Sequence, residues 1–167
     1  DITLEKEYNG VTVSVTAHLG TAIIPFSMDI GFGDIVIPEP IEIDYPLLLD
    51  EMPKVSIYAY SLETVVAEKF ETMIDRGLAN SRMKDFFDVY TILKAEHLNH
   101  DILHEAIISV FNNRGTGYYE NHVLFNGDFK NDPIKQTQWN SFLKKIKHKE
   151  SLPLSDVIDY ITNKLER

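Results

Sequence analysis

Apolar and polar residues alternate over much of the first third of the chain, which is the pattern of half-buried β-strands. Residues 11–19 (VTVSVTAHL) predict a first strand, and residues 22–33 (AIIPFSMDIGFG) predict a second strand that runs antiparallel to it after a short turn. Four prolines within residues 34–53 forbid a continuous helix, so we expect an extended connector with one short strand near Ile41–Ile43. Residues 54–60 alternate again and predict a further strand.

From residue 61 onward the apolar positions recur three and four residues apart, which is typical of amphipathic helices. Ser61 is predicted to cap a first helix that ends near Gly77, and a second helix is predicted for residues 82–96. A loop is predicted for residues 112–127, and three later helices are predicted near residues 102–111, 134–147 and 151–167. Strands that precede the helices indicate an α+β fold: a small, mainly antiparallel sheet with its connector over residues 1–60, then a helical bundle over residues 61–167.

Composition and charge narrow the class of protein. The 167 residues are 44% hydrophobic and carry a formal net charge of −10, which fits a folded protein and argues against a surface that coats nucleic acid. A local basic site remains compatible with that charge. The absence of cysteine excludes disulfides and thiolate metal sites. Because no run of about 18 apolar residues occurs, we expect no membrane span and a cytoplasmic protein. The chain opens without Met beside strand-like sequence, so we expect a fragment of a longer protein.

The stretch from Tyr60 to Leu93 carries more charge than a helical hairpin needs for packing. Lys69 lies beside the apolar stripe of the first predicted helix, and two interpretations are open. Its stem can cover apolar surface while the ammonium group stays in water, or it can provide a point charge for a phosphate. Arg76 follows seven residues later, so the two cations share one helix face.

Arg82, Lys84, Asp85 and Asp88 open the second predicted helix, and again two interpretations are open. The four residues can form a solvated network of ion pairs. Alternatively, Asp85 or Asp88, which are neighbours at a spacing of three, can hold Lys69 or Arg76 across the hairpin and direct a cation toward a ligand.

Asp29 is a further candidate because it lies between Met28 and Ile30 in a predicted strand. Its carboxylate points to the face opposite these apolar neighbours. If that face lines a cleft, Asp29 is a candidate acid, base or metal ligand; otherwise it is a solvated residue near the end of a strand. Arg114, ahead of a glycine-containing loop, is a weaker hint of phosphate binding. No HExxH, GxGxxG, Walker A or GxSxG motif occurs.

Three segments together resemble a known family. AEKF at residues 67–70, Arg76, and RMKDFFDVYTIL at residues 82–93 resemble the AbiEii/AbiGii toxin family of nucleotidyltransferases. Members of this family occur in type IV toxin–antitoxin and phage-defence systems. The segment at residues 28–38, the proline-rich link after it, and FNNRGT at residues 111–116 also resemble the layout of the family.

The resemblance implies a reaction and a set of roles. The expected cofactors are Mg (or Mn) and a nucleoside triphosphate (NTP), and in-line attack on the α-phosphate releases pyrophosphate. The expected partners are the NTP, a tRNA, other RNA or protein acceptor, and a cognate antitoxin. Asp29, Lys69 and Asp85 would be catalytic, and Asp29 would also bind metal. The residues expected to bind the nucleotide are Lys69, Arg76, Arg82, Lys84 and Asp88.

One departure from the superfamily pattern is large. Its signature is a Gly-Ser or Gly-Gly helix start followed by an Asp-x-Asp strand, and neither occurs here; Glu42 and Asp44 are the nearest acidic pair. We therefore expect the chain to be the C-terminal portion of such an enzyme and to be inactive by itself. Two alternatives remain: a non-catalytic module that binds an antitoxin or another protein, and a purely structural α+β domain.

Overall fold

The fold is that of a computed structural model, which describes residues 10–49, 51–95, 97–118 and 121–165. Contacts divide the chain into two compact units, residues 1–35 and residues 36–167. The strands precede the helices, so the predicted α+β class is confirmed. The domain boundary predicted after residue 60 stays a prediction. None of the helices in the described ranges is long and apolar enough to cross a bilayer.

The first unit contains a β-hairpin, as the alternation predicted. Strands β1 (Gly10–Leu19) and β2 (Ala22–Gly31) pair antiparallel, and Gly20, with φ of 59°, provides the left-handed residue of the turn. Residues directly opposite each other share a face, so Val13 and Met28 lie on an apolar face and Thr12 and Asp29 on a polar one.

The second unit begins with a short ladder of β3 (Ile41–Asp44) and β4 (Ser56–Ala59), which pair antiparallel. Within the described residues the four strands therefore form two separate two-stranded sheets. Six α-helices follow in the part of the chain that the structure describes: α1 (Leu62–Arg76), α2 (Met83–Ala95), α3 (His100–Arg114), α4 (Asp128–Asn131), α5 (Pro133–Lys145) and α6 (Leu154–Leu165).

The helices of the second unit share one hydrophobic core. All six helices contribute buried apolar residues to it, and the large, fully buried side chains include Phe70 of α1, Phe86 of α2, Phe129 of α4, Trp139 of α5 and Ile158 and Ile161 of α6. Phe86 and Phe129 stack with their ring centroids 5.0 Å apart. This packing fixes α1 and α2 side by side, which positions the charged residues between them.

Several helix boundaries, including the ends of α3 and α5, differ from the prediction. Helix α3 continues to Arg114, past the predicted loop start at Asn112, because Gly115 ends it in a left-handed conformation. Helix α5 ends at Lys145 and not at Lys147. The one-turn helix α4 lies between the predicted loop, which ended at Gly127, and the next predicted helix, in residues to which no element was assigned.

Candidate functional site

An N-cap at Ser61 defines the start of helix α1, and this determines where Lys69 lies on the helix. The hydroxyl of Ser61 accepts a hydrogen bond from the backbone N–H of Thr64 at 3.1 Å, as expected for an N-cap. Val66, Phe70 and Met73 then face the core. Lys69 lies one position before Phe70, so its stem runs along the edge of the buried face and its ammonium group points toward α2.

Two carboxylates of α2 hold this ammonium group. Lys69 Nζ lies 2.6 Å from Asp85 Oδ1 and 2.9 Å from Asp88 Oδ2. The side chain of Asp85 is only 4% exposed, so it needs a charged partner. The sequence left open whether Asp85 or Asp88 reaches across the hairpin, and the structure places both on Lys69.

Two more cations complete what we call the Lys69 network, which consists of Lys69, Arg82, Lys84, Asp85 and Asp88. Arg82 Nε lies 2.6 Å from Asp85 Oδ2, and Lys84 Nζ lies 2.5 Å from Asp88 Oδ2. The contact of Arg82 lacks hydrogen-bond geometry, so Asp85 Oδ2 is buried without a hydrogen bond among the described residues. Three cations around two carboxylates leave one positive charge in excess, and Arg82 and Lys84 are both largely exposed.

The surroundings of Lys69 and Asp88 favour the charged forms of both side chains. Burial lowers the pKa of Lys69, but hydrogen bonds and attraction from Asp85 and Asp88 outweigh it, and the net shift is upward. For Asp88, burial raises the pKa, but Lys84 and Lys69 outweigh it and hold the pKa below its usual value. Lys69 and Asp88 are therefore both ionised at neutral pH.

The link between α1 and α2 is held by several hydrogen bonds, and it positions Arg82. Gly77, with φ of 46°, ends α1, and its N–H donates to the carbonyl of Met73. Asn80 is completely buried; its side-chain oxygen accepts a hydrogen bond from the N–H of Arg82 at 2.8 Å. Lys135 of α5 donates to the carbonyl of Asn80 at 2.9 Å. Helix α5 thus supports the start of α2, a role that periodicity gave no sign of.

A second charge cluster, the Arg114 network, lies on another side of α1 and consists of Glu68, Glu71, Arg114 and Thr116. Arg114 Nη1 donates to Glu71 at 2.8 Å and Nη2 pairs with Glu68, while the hydroxyl of Thr116 binds Glu71. The side chain of Glu71 is only 2% exposed. Arg114 therefore joins α3 to α1, and Glu68 and Glu71 are partners in this contact between helices.

The remaining candidates lie outside the Lys69 network. Arg76 is exposed at the end of α1 and forms no ion pair within the described ranges. Asp29 belongs to the first unit, where it is exposed and accepts a hydrogen bond from Thr12 Oγ1 at 2.7 Å. In the part of the chain that the structure describes, no three His, Asp or Glu side chains come together as a metal site.

An open cleft of about 570 Å³ lies between the start of α2 and helix α5. Ser81, Arg82 and Lys84 line one wall, and Gln138, Ser141 and Lys145 line the other. The cleft shares Arg82 and Lys84 with the Lys69 network. The α5 wall was not among the sequence-based candidates, although a run of lysines near residues 144–149 was a visible signal.

A comparison with protein-family models places this geometry in context. The model described as "Nucleotidyl transferase AbiEii toxin, Type IV TA system" matches residues 1–162. The chain belongs to the AbiEii family. The family resemblance found in the sequence is thereby confirmed, and this AbiEii-family chain is nucleotidyltransferase-like and toxin-like. No curated protein and no solved structure matches it.

Proposed function

We propose that this chain provides the phosphate-binding part of an enzyme that transfers a nucleotide from an NTP to an acceptor, either an RNA such as tRNA or a protein. The observation that carries the proposal is the Lys69 network, whose three cations exceed its two carboxylates. An excess positive charge that is partly withdrawn from water suits the phosphates of an NTP, because phosphoryl and nucleotidyl transfer depend on positioning and on neutralising negative charge.

Lys69 has the central role in this proposal. Asp85 and Asp88 fix its ammonium group, so little side-chain entropy is lost when a phosphate binds. The upward shift of its pKa keeps the proton in place. Asp85 orients Lys69 and holds Arg82 at the same time.

Arg82 and Lys84 form the outer part of the proposed site. Both are bound to carboxylates but are largely exposed, so they can turn toward a ligand at small cost. The planar guanidinium group of Arg82 suits two oxygens of one phosphate, whereas Lys84 contributes a single charge. Arg76, at the end of α1, is a further cation of the proposed site, and it forms no ion pair within the described residues.

The described residues do not form a complete site for the divalent metal that nucleotidyltransferases use. Asp85 and Asp88 are already in contact with cations, which repel a second positive ion. Asp29 is one carboxylate, and no cluster of three ligands occurs in the described ranges. We keep Asp29 as one proposed metal ligand and assign no step to the metal.

One sequence feature favours a second candidate function. The 167 residues contain no Gly-Ser or Gly-Gly start and no Asp-x-Asp pair, so we propose that they do not transfer nucleotides by themselves. The alternative is a non-catalytic module that binds an antitoxin or another protein. An antitoxin is also the expected partner of an active toxin in this family.

A labelling assay tests the proposed reaction. We expect the full-length protein, given radiolabelled NTP, to label tRNA or a protein, and Asp29→Ala to abolish labelling. Equal labelling by both proteins would remove Asp29 from the mechanism. If the full-length protein labels no acceptor with any of the four NTPs but binds its antitoxin, the transferase proposal fails and the binding module is favoured.

A further inference from the structure

Charge is distributed unevenly in this acidic protein. Between residues 130 and 149 there are six lysines and one aspartate, a net charge of +5 in a chain whose total is −10. Four of these lysines fall at the end of α5 and directly after it: Lys144, Lys145, Lys147 and Lys149. We call them the α5 lysine strip.

The α5 lysine strip is not used to hold the fold together. All four side chains are exposed, and none forms an ion pair within the described residues. Lys130, by contrast, pairs with Asp159, and Lys135 is buried against Asn80. Lysines in the last turn of a helix do stabilise its C-terminus, but this explains only Lys144 and Lys145.

The backbone at the end of α5 holds the strip in a defined shape. The N–H of Lys147 donates to the carbonyl of Lys144 at 3.1 Å, and the N–H of His148 donates to that of Leu143 at 3.0 Å. This is the Schellman pattern, in which glycine usually occupies the left-handed position. Here that position is Lys147, with φ of 55°. A lysine in a conformation that glycine adopts more easily suggests that the side chain is retained for a purpose other than stability.

The strip adjoins the cleft between α5 and α2. Lys145 lines the cleft, and Ser141 and Gln138 add hydrogen-bonding groups along the same wall. Arg82 lines the opposite wall and belongs to the Lys69 network. Lys145 of the strip therefore lines the same cleft as Arg82 and Lys84 of the proposed NTP site.

We infer that the α5 lysine strip and the adjoining cleft bind the phosphodiester backbone of a nucleic-acid strand. A triphosphate is compact and suits the cluster around Lys69, whereas cations spread along a helix end match phosphates repeated along a strand. The biological meaning of this surface rests on the proposed nucleotide transfer, because the strand is the acceptor. Strand binding itself is measured without turnover.

The test measures binding of fluorescent 12-nucleotide oligouridylate and oligothymidylate to the whole chain by anisotropy at several salt concentrations. For Lys145→Gln/Lys147→Gln we expect affinity to fall on the order of tenfold, and the salt dependence of log K to flatten by about 0.7 for each lost contact. The matched control, Lys94→Gln/Lys164→Gln, removes two exposed lysines elsewhere and should bind like the wild type. Equal binding by all three proteins, or equal loss in both variants, overturns the inference.

A single variant separates strand binding from folding. Lys147→Gly places glycine in the left-handed position, so its Tm should equal or exceed that of the wild type while strand affinity falls. Unchanged strand affinity in Lys147→Gly would count against Lys147 as a contact.

Other ligands are distinguished by competition. Inorganic triphosphate should displace the strand only at a large excess, and vesicles with 30% phosphatidylserine should bind more weakly than the strand. If the α5 lysine strip binds triphosphate or vesicles more tightly than it binds the strand, the assignment of this surface to a nucleic-acid strand is overturned. If strand binding depends on the strip but no labelling is ever seen, the proposed reaction fails and this inference stands. If labelling is seen but strand binding does not depend on the strip, the proposed reaction stands and this inference fails.

Discussion

Helix α1 carries two charge networks of opposite balance. In the Arg114 network one cation lies between two carboxylates, and Thr116 also binds the more buried carboxylate, Glu71. In the Lys69 network three cations surround two carboxylates, and the outer two cations are exposed. Among the described residues, the first network joins two helices with no cation in excess, whereas the second has positive charge left for a ligand. We therefore expect mutations in the first to affect stability and those in the second to affect nucleotide binding.

The largest effect on stability is expected for Arg114→Met. This change leaves Glu71 buried and Glu68 half-buried without their shared cation, which should lower the free energy of unfolding by about 3–5 kcal/mol. Urea unfolding followed by circular dichroism measures the loss. Arg76→Met is the matched control, because this exposed arginine forms no ion pair in the described residues; its effect should stay within about 0.5 kcal/mol. Equal losses in the two variants would contradict the role of the Arg114 network.

A smaller loss of stability is expected for Lys69→Met. Asp85 keeps Arg82 as a partner and Asp88 keeps Lys84, so the free energy of unfolding should fall by about 1–3 kcal/mol. The same urea experiment measures it. A loss greater than that of Arg114→Met would show that Lys69 is mainly a structural residue, and the contrast between the networks would disappear.

Protonation of Asp88 in acid should destabilise the Lys69 network. The loss of unfolding free energy should be smaller than in Lys69→Met, because Lys69 still pairs with Asp85. The pKa of Asp88 is lowered in the folded protein, so below about pH 5 the unfolded chain binds more protons at this residue. Its contribution to stability is fully present above that pH and is lost as pH falls through the lowered pKa. The difference in unfolding free energy between wild type and Asp88→Asn should therefore be constant from about pH 7 to pH 5 and shrink only below about pH 4. A difference that already vanishes at pH 5 would exclude this role.

The smallest effect on stability is expected for Lys84→Gln. Its ion pair with Asp88 is exposed and spaced four residues apart on a helix, so its loss should cost about 0.3–0.5 kcal/mol. Calorimetric titration with NTP should nevertheless show weaker binding, because Lys84 is one of the proposed phosphate contacts. Unchanged affinity would remove Lys84 from the site.

Local features of the fold were predictable from the sequence, whereas long-range pairings were not. Alternation identified β1 and β2, and helical spacing with Ser61 identified the start of α1. Helical geometry also brought Asp85 and Asp88 to one face, which made their pairing with Lys69 a reasonable hypothesis. No periodicity, however, shows that Arg114 reaches Glu68 and Glu71, which precede it by 46 and 43 residues.

Two further misses have equally local causes. Alternation of apolar and polar residues identifies a strand but does not show which other strand it pairs with. One small sheet was therefore expected, whereas the described strands form two separate two-stranded sheets. Lys147, which follows α5, was predicted to be the last residue of the helix, because lysine is a good helix former and gives no signal of a left-handed conformation.

Calorimetric titration of one pair of double variants with NTP tests the central claim most directly. Lys69→Met/Asp85→Asn and Arg114→Met/Glu71→Gln each remove both members of a partly buried ion pair that joins α1 to a neighbouring helix, and both leave the net charge unchanged. Folding of both is confirmed first by circular dichroism. We predict that the Lys69 pair loses NTP binding while the Arg114 pair keeps the affinity of the wild type. Wild-type affinity in the folded Lys69→Met/Asp85→Asn protein would contradict the account.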